Sequence, residues 1–179
     1  IDGEGRAYSG AWWDWLSAFS LLTGMAVVVG YTLLGACWLN LKTEGALQER
    51  MRRYARPLGF ATLGFIGIAS LLTPFQDVEY FHRWFEIPGV MFSVIVPAAL
   101  LVCAYALFTG LRDGKELLPF LAALELFVLC FIGIGISFYP NIVPPSLTIV
   151  EAAAPDSSLK FALVGTVVLV PLILIYTAY

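Results

Sequence analysis

Five long apolar runs constrain this chain more than any other feature of its sequence. They cover about residues 16–41, 58–75, 87–111, 117–139 and 161–179. An α-helix rises about 1.5 Å per residue, so about 20 apolar residues cross a hydrocarbon core about 30 Å thick. Inside lipid each backbone polar group needs a partner within the protein, and a helix supplies one. The runs therefore predict five transmembrane helices.

The composition agrees with a membrane protein rather than a soluble domain. Hydrophobic residues make up 60% of the chain and charged residues 13%, whereas soluble domains are about half apolar and about a quarter charged. Lipid must cover the apolar side chains that a fold of this length cannot bury. We expect an all-α polytopic fold with a single transmembrane domain over residues 1–179. The net charge of −3 gives no indication of nucleic-acid binding, and no nucleic-acid partner is expected.

The two ends of the chain bear on its completeness. It begins at Ile1 without an initiator methionine and ends at Tyr179 inside an apolar run. The N-terminal residues lack the basic segment and apolar core of a signal peptide. We therefore expect this chain to be a fragment of a longer protein.

Basic residues are concentrated in two of the predicted connections, residues 42–56 and 112–116. These connections carry seven of the ten lysines and arginines, namely Lys42, Arg50, Arg52, Arg53, Arg56, Arg112 and Lys115. The positive-inside rule places both connections in the cytoplasm, so the N-terminal end is predicted outside and the C-terminal end inside. Contact with lipid headgroups is the alternative explanation for the first cluster.

Candidate ligands for a metal or a haem are few. The chain has one histidine, His82 in a predicted outer connection, and three methionines, Met25, Met51 and Met91. Histidine and methionine are the usual axial ligands of cytochrome haems, and one histidine cannot supply them to several haems. The cysteines lie separately inside apolar runs, which suits small packing residues. We expect no cofactor in this chain.

Glu125 is the one ionisable carboxylate or base well inside a predicted span. It lies about 12 Å along the helix axis from Leu117. Ionisable groups at this depth are costly and are candidates for proton relays or ion sites. The alternative is a buried packing residue, protonated or hydrogen-bonded to Tyr105, Thr62 or Ser93. Both interpretations remain open from the sequence.

The residues alone support a helical membrane subunit of a larger complex. An enzyme is disfavoured because neither metal ligands nor a nucleophile constellation is present. An ion-coupled transporter remains possible through Glu125. Small residues at helix-packing spacing, such as Ala26 with Gly30 and Gly133 with Ser137, suit a tightly packed bundle. A structural partner fits these features best.

Several stretches carry a family resemblance. They read GRAY at 5–8, WDWL at 13–16, FSLLTG at 19–24, LLGA at 33–36, LKTEG at 41–45, YPNIVPPSLTI at 139–149 and VPLILIYTAY at 170–179. Together they resemble subunit II of the cytochrome bd-type quinol oxidases, particularly the cyanide-insensitive branch. The resemblance extends over essentially the whole chain and corresponds to roughly the C-terminal half of that subunit.

The resemblance implies a respiratory complex of the bacterial inner membrane that oxidises quinol and reduces oxygen to water. It implies a partner, subunit I, that holds haem b and haem d and the quinol site. Subunit II would be a haem-free, non-catalytic subunit that stabilises the complex and takes part in its substrate or proton access routes. Membrane lipid, and quinone as a second candidate, would be its small-molecule partners.

The implied fold is one four-helix bundle plus one peripheral helix. The N-terminal helices of the family are absent from this chain, so no acidic residue of theirs can be carried over. Glu125 lies outside the stretches that carry the resemblance, so it receives no family role.

Overall fold

The computed structural model describes residues 12–13, 16–73, 89–143 and 147–178. These residues form six helices and two short strands. In chain order they are α1 (Ala18–Lys42), α2 (Gly45–Leu72), α3 (Gly89–Arg112), α4 (Leu117–Phe138), β1 (Asn141–Val143), β2 (Leu147–Thr148), α5 (Ile149–Ala152) and α6 (Asp156–Ala178). Five of these helices, all except α5, are long and apolar enough to cross a membrane. The prediction of an all-α polytopic membrane protein is therefore confirmed.

The second and last membrane helices begin earlier than their apolar runs. Helix α2 begins at Gly45 rather than near residue 58, and it contains Pro57. The segment before Pro57 is rich in Ala, Leu, Gln, Glu, Met and Arg, which all favour helix. Charge keeps these residues out of the hydrocarbon core but does not prevent them from being helical. Similarly, α6 begins at Asp156 rather than at residue 161, and an acidic residue in the first turn stabilises a helix start.

Four helices of the first unit, Ile1–Ser137, share one hydrophobic core. Each contributes fully or nearly fully buried side chains, which are Leu33, Ala36, Cys37, Ala55, Leu107, Leu111, Ala122, Ala123 and Leu126. α1 packs closely along α2, and α2 packs against α3. Phe60 of α2 stacks on Phe108 of α3 with ring centroids 4.3 Å apart. The predicted four-helix bundle is present.

Glycines allow close approach where α4 meets its neighbours. A Cβ atom on Gly30 of α1 would lie 2.9 Å from the ring of Phe127 in α4. A Cβ atom on Gly110 of α3 would lie 3.0 Å from two ring atoms of Pro119. The bundle therefore closes from α4 back to α1, as the predicted small-residue position at Gly30 indicates.

The second unit, Phe138–Tyr179, holds the strands, α5 and α6. β1 pairs antiparallel with β2, with Asn141 opposite Thr148. Thr148 and Glu151 form a capping box at the start of α5, in which the Glu151 amide donates to Thr148 Oγ1 at 3.2 Å. This part of the chain thus contains a short antiparallel strand pair. The peripheral position of the last helix remains a prediction.

Candidate functional site

Glu125, the candidate from the sequence, lies on α4 with its side chain exposed. The apolar side chains of Leu121, Leu124 and Val128 on the same helix are also exposed. The Cys103 thiol of α3 is close enough to interact electrostatically with the carboxyl group. Within the described residues Glu125 makes no hydrogen bond or ion pair. The described residues therefore do not enclose the carboxyl group.

The partners considered for Glu125 lie elsewhere in the bundle or outside the description. Thr62 is buried, and its hydroxyl donates to the Leu58 carbonyl at 2.8 Å. Tyr105 is 73% exposed. The side chain of Ser93 lies outside the described residues. A buried proton or polar site at Glu125 would thus require groups beyond these, and it stays a prediction.

The other ligand candidates do not come together. His82 lies outside the described residues. Met25 is 60% exposed on α1, and Met51 is half-buried at the edge of a groove between α1 and α2. Cys37 lies in the bundle core as a free thiol. Among the described residues no cluster of three or more His, Cys, Asp or Glu side chains is arranged to hold a metal ion.

A polar network at the basic end of the bundle was not predicted. Its centre is Asn40, a fully buried side chain near the end of α1. Asn40 Nδ2 donates to the Lys115 carbonyl at 3.3 Å, and Asn40 Oδ1 accepts from Arg52 Nε at 3.3 Å. The Asn40 carbonyl accepts from Gln48 Nε2 at 2.9 Å. The network therefore joins the end of α1, the first turns of α2 and the connection between α3 and α4.

Two arginines of α2 donate to carbonyl groups in the last turn of α3 and just after it. Arg52 Nη2 donates to the Gly114 carbonyl at 3.2 Å, and Arg56 Nη2 donates to the Leu111 carbonyl at 3.3 Å. The last carbonyl groups of a helix have no partner within it and carry partial negative charge, so guanidinium groups stabilise them. Gly114 has φ +74°, and a Cβ atom there would lie 3.1 Å from Arg52 Nη1. Glycine thus fits both the turn and the arginine.

The arginines of the basic cluster on α2 form two groups that differ in their contacts. Arg52, which is half-buried, and Arg56, which is exposed, each donate to a carbonyl group at the bundle end. Arg50 and Arg53 are exposed and make no hydrogen bond or ion pair with any described residue. Lys42 Nζ lies 5.0 Å from the Trp38 ring centroid, a cation–π contact. Asn40, the single amide in the first apolar run, is the sequence signal that could have indicated a polar anchor.

Comparison with known protein families identifies the family of this chain. A family model described as cytochrome bd terminal oxidase subunit II matches residues 1–179. The chain belongs to this family. The resemblance drawn from the sequence stretches is therefore confirmed at the level of the family. A comparison with curated proteins found no match.

Membership in the cytochrome bd terminal oxidase subunit II family makes this chain a multi-pass membrane subunit of a respiratory oxidase. The family's complex binds haems and pairs subunit II with subunit I. The network around Asn40 is a structural clamp at one end of the bundle, because it joins α1, α2 and the connection between α3 and α4. Gln48 Nε2, which donates to the Asn40 carbonyl, also donates to Glu116 Oε1 at 3.0 Å.

Proposed function

We propose that this chain is a haem-free structural subunit of a cytochrome bd-type quinol oxidase in the bacterial inner membrane. It supports subunit I, which holds haem b and haem d and oxidises quinol while oxygen is reduced to water. The observation that carries the proposal is a family match over residues 1–179 in a chain with a single histidine. The direct test is the absorption spectrum of this subunit made without subunit I. We expect that spectrum to show no haem absorbance.

The structural role rests on how the bundle is built. The shared core and the Asn40 network hold four helices in fixed register, which gives a neighbouring subunit a defined surface. Gly64 and Gly67 on α2 are exposed, and a Cβ atom on either would meet nothing within 4 Å. Such positions let a second helix approach closely in lipid. These features support a subunit that works against a protein partner.

The orientation of the chain is part of the same proposal. The seven clustered basic residues favour a cytoplasmic start for α2 and an outer start for α6. We expect a cysteine at Ala46 to react with a membrane-impermeant maleimide only in inverted vesicles. A cysteine at Ser157 should react in intact spheroplasts. Both positions are exposed, and labelling in the opposite pattern would reverse the orientation.

Substitutions at Glu125 separate the structural role from ion-coupled transport, the alternative function. Glu125→Gln removes the ionisable group but keeps its shape, so assembly should persist and quinol oxidase turnover should stay within a few-fold. Glu125→Lys places a permanent charge in the span, which costs about 2.5–3.5 kcal/mol or more at a helix centre. Its yield of assembled complex should fall markedly, as measured by haem absorbance per milligram of purified membrane protein.

If the chain were an ion-coupled transporter that uses Glu125, its activity would require this carboxyl group. Transporter sites combine several polar groups near the midplane, often at broken helices. Pro97 and Pro171 lie inside helices α3 and α6, but Glu125 has no hydrogen-bonding neighbour among the described residues. A large loss of turnover in Glu125→Gln with unchanged haem spectra would favour a proton relay. Solute transport by the isolated subunit in liposomes would favour the transporter.

A further inference from the structure

An apolar groove runs between α1 and α2 on the outside of the bundle. It has a volume of about 700 Å³. Its walls include Thr32, Gly35 and Leu39 from α1 and Met51, Tyr54 and Ala61 from α2. Gly35 leaves the groove open, because a Cβ atom there would meet nothing within 4 Å. No residue that lines the groove belongs to the Asn40 network, and Glu125 does not line the groove.

Two arginines lie beside the basic end of this groove. Arg50 precedes Tyr54 by one turn on the same face of α2, and Arg53 stands in the same relation to Pro57, which also lines the groove. Helical side chains point toward the helix N-terminus, so both guanidinium groups extend away from the groove's interior toward the aqueous end of α2. Both are exposed without a partner among the described residues.

The length of the groove matches one leaflet of a membrane. Arg50 and Ala61 are separated by about 16 Å along the helix axis. Half of a hydrocarbon core about 30 Å thick is about 15 Å. An acyl chain that follows the groove from Arg50 to Ala61 would thus span one leaflet.

We infer that this groove binds an anionic phospholipid, with an acyl chain between α1 and α2 and its phosphate at Arg50 and Arg53. Guanidinium groups bind phosphate through two parallel hydrogen bonds, and basic residues beside a membrane helix attract anionic headgroups. A quinone also has an apolar tail, but its uncharged head does not match two unpaired cations. The site does not depend on which subunit holds the haems.

The charge requirement can be tested on the purified oxidase complex. We would exchange its lipids with phosphatidylglycerol and phosphatidylcholine of identical acyl chains and count the bound molecules by native mass spectrometry. The wild-type complex should prefer phosphatidylglycerol. The double variant Arg50→Gln, Arg53→Gln should lose this preference by roughly tenfold. Arg112→Gln, which removes an exposed arginine at the end of α3, is the matched control and should keep it.

The groove requirement needs a second pair of variants. Gly35→Leu should fill the groove and reduce retention of both lipids several-fold. Gly24→Leu is the control, because Gly24 lies on the same helix, also with nothing within 4 Å of its Cβ position, and does not line the groove. Haem absorbance establishes assembly of each preparation. Ala61→Leu on the opposite wall replaces Gly35→Leu if that variant does not assemble.

Three results would overturn the inference. One is an unchanged phosphatidylglycerol preference in the double arginine variant. Another is equal loss of that preference in Arg112→Gln. The third is release of a quinone, rather than a phospholipid, when the groove is filled. Because each comparison uses assembled complex, these results leave the proposed role as a haem-free subunit unaffected.

Discussion

Replacing Gly110 by leucine is expected to destabilise the bundle more than any other single glycine substitution between α3 and α4. Gly110 is buried, and a Cβ atom would lie 3.0 Å from both Cδ and Cγ of Pro119. Pro119 is itself fully buried, and its ring cannot rotate away as a flexible side chain can. Leucine adds further atoms, so the helices must separate. Overpacking costs about 1–3 kcal/mol and occasionally more, and we expect at least the upper value.

The measurement is the thermal midpoint of the purified complex, followed by size-exclusion chromatography after heating. Gly135→Leu is the matched control on α4, because a Cβ atom at Gly135 meets nothing within 4 Å. It should lower the midpoint far less than Gly110→Leu. Equal midpoints for the two variants would show that α3 and α4 do not pack at Gly110 as described.

Replacing Arg52 by methionine is expected to have the second largest effect. It removes the bonds to Asn40 Oδ1 and to the Gly114 carbonyl. Asn40 is fully buried, so its oxygen would lose its charged partner without gaining water. A buried polar group left unpaired costs about 1–3 kcal/mol. Methionine keeps much of the apolar stem, so the loss reports on the hydrogen bonds rather than on packing.

A conservative variant and a control variant are needed to interpret the thermal midpoint of Arg52→Met. Arg52→Lys keeps the charge but cannot reach two acceptors in a fixed fork, so it should recover only part of the stability. Arg112→Met removes an exposed arginine, and surface changes of this kind usually stay within about 0.5 kcal/mol. A thermal midpoint for Arg52→Met equal to that of Arg112→Met would contradict a structural clamp at the basic end.

The sequence predicts those parts of the fold that the thickness and the apolar character of the lipid determine. The length of the apolar runs and the need to satisfy backbone groups in lipid were enough to predict the five spans. The sequence does not predict the start of α2 at Gly45, because the arginines before Pro57 have the charge of a connection. Charge determines where a helix leaves the hydrocarbon core, whereas helix propensity determines where the helix itself begins, and the two positions differ here.

The site was less predictable because it depends on which side of each helix faces inward. Helix α4 is apolar on all sides, so its sequence gives no single buried face. The depth of Glu125 could be estimated from its position, but its exposure depends on how α3 and α4 pack. The Asn40 network joins Asn40 to the Lys115 carbonyl across a long stretch of chain. Local patterns carry no information about such a contact.

The measurement that tests the central claim most directly is the absorption spectrum of this subunit, purified from its native membrane. The subunit should be prepared once without subunit I and once with it. We predict no haem absorbance from the subunit alone, and haem b and haem d bands when subunit I co-purifies. Haem bands retained by the subunit without subunit I would contradict the account.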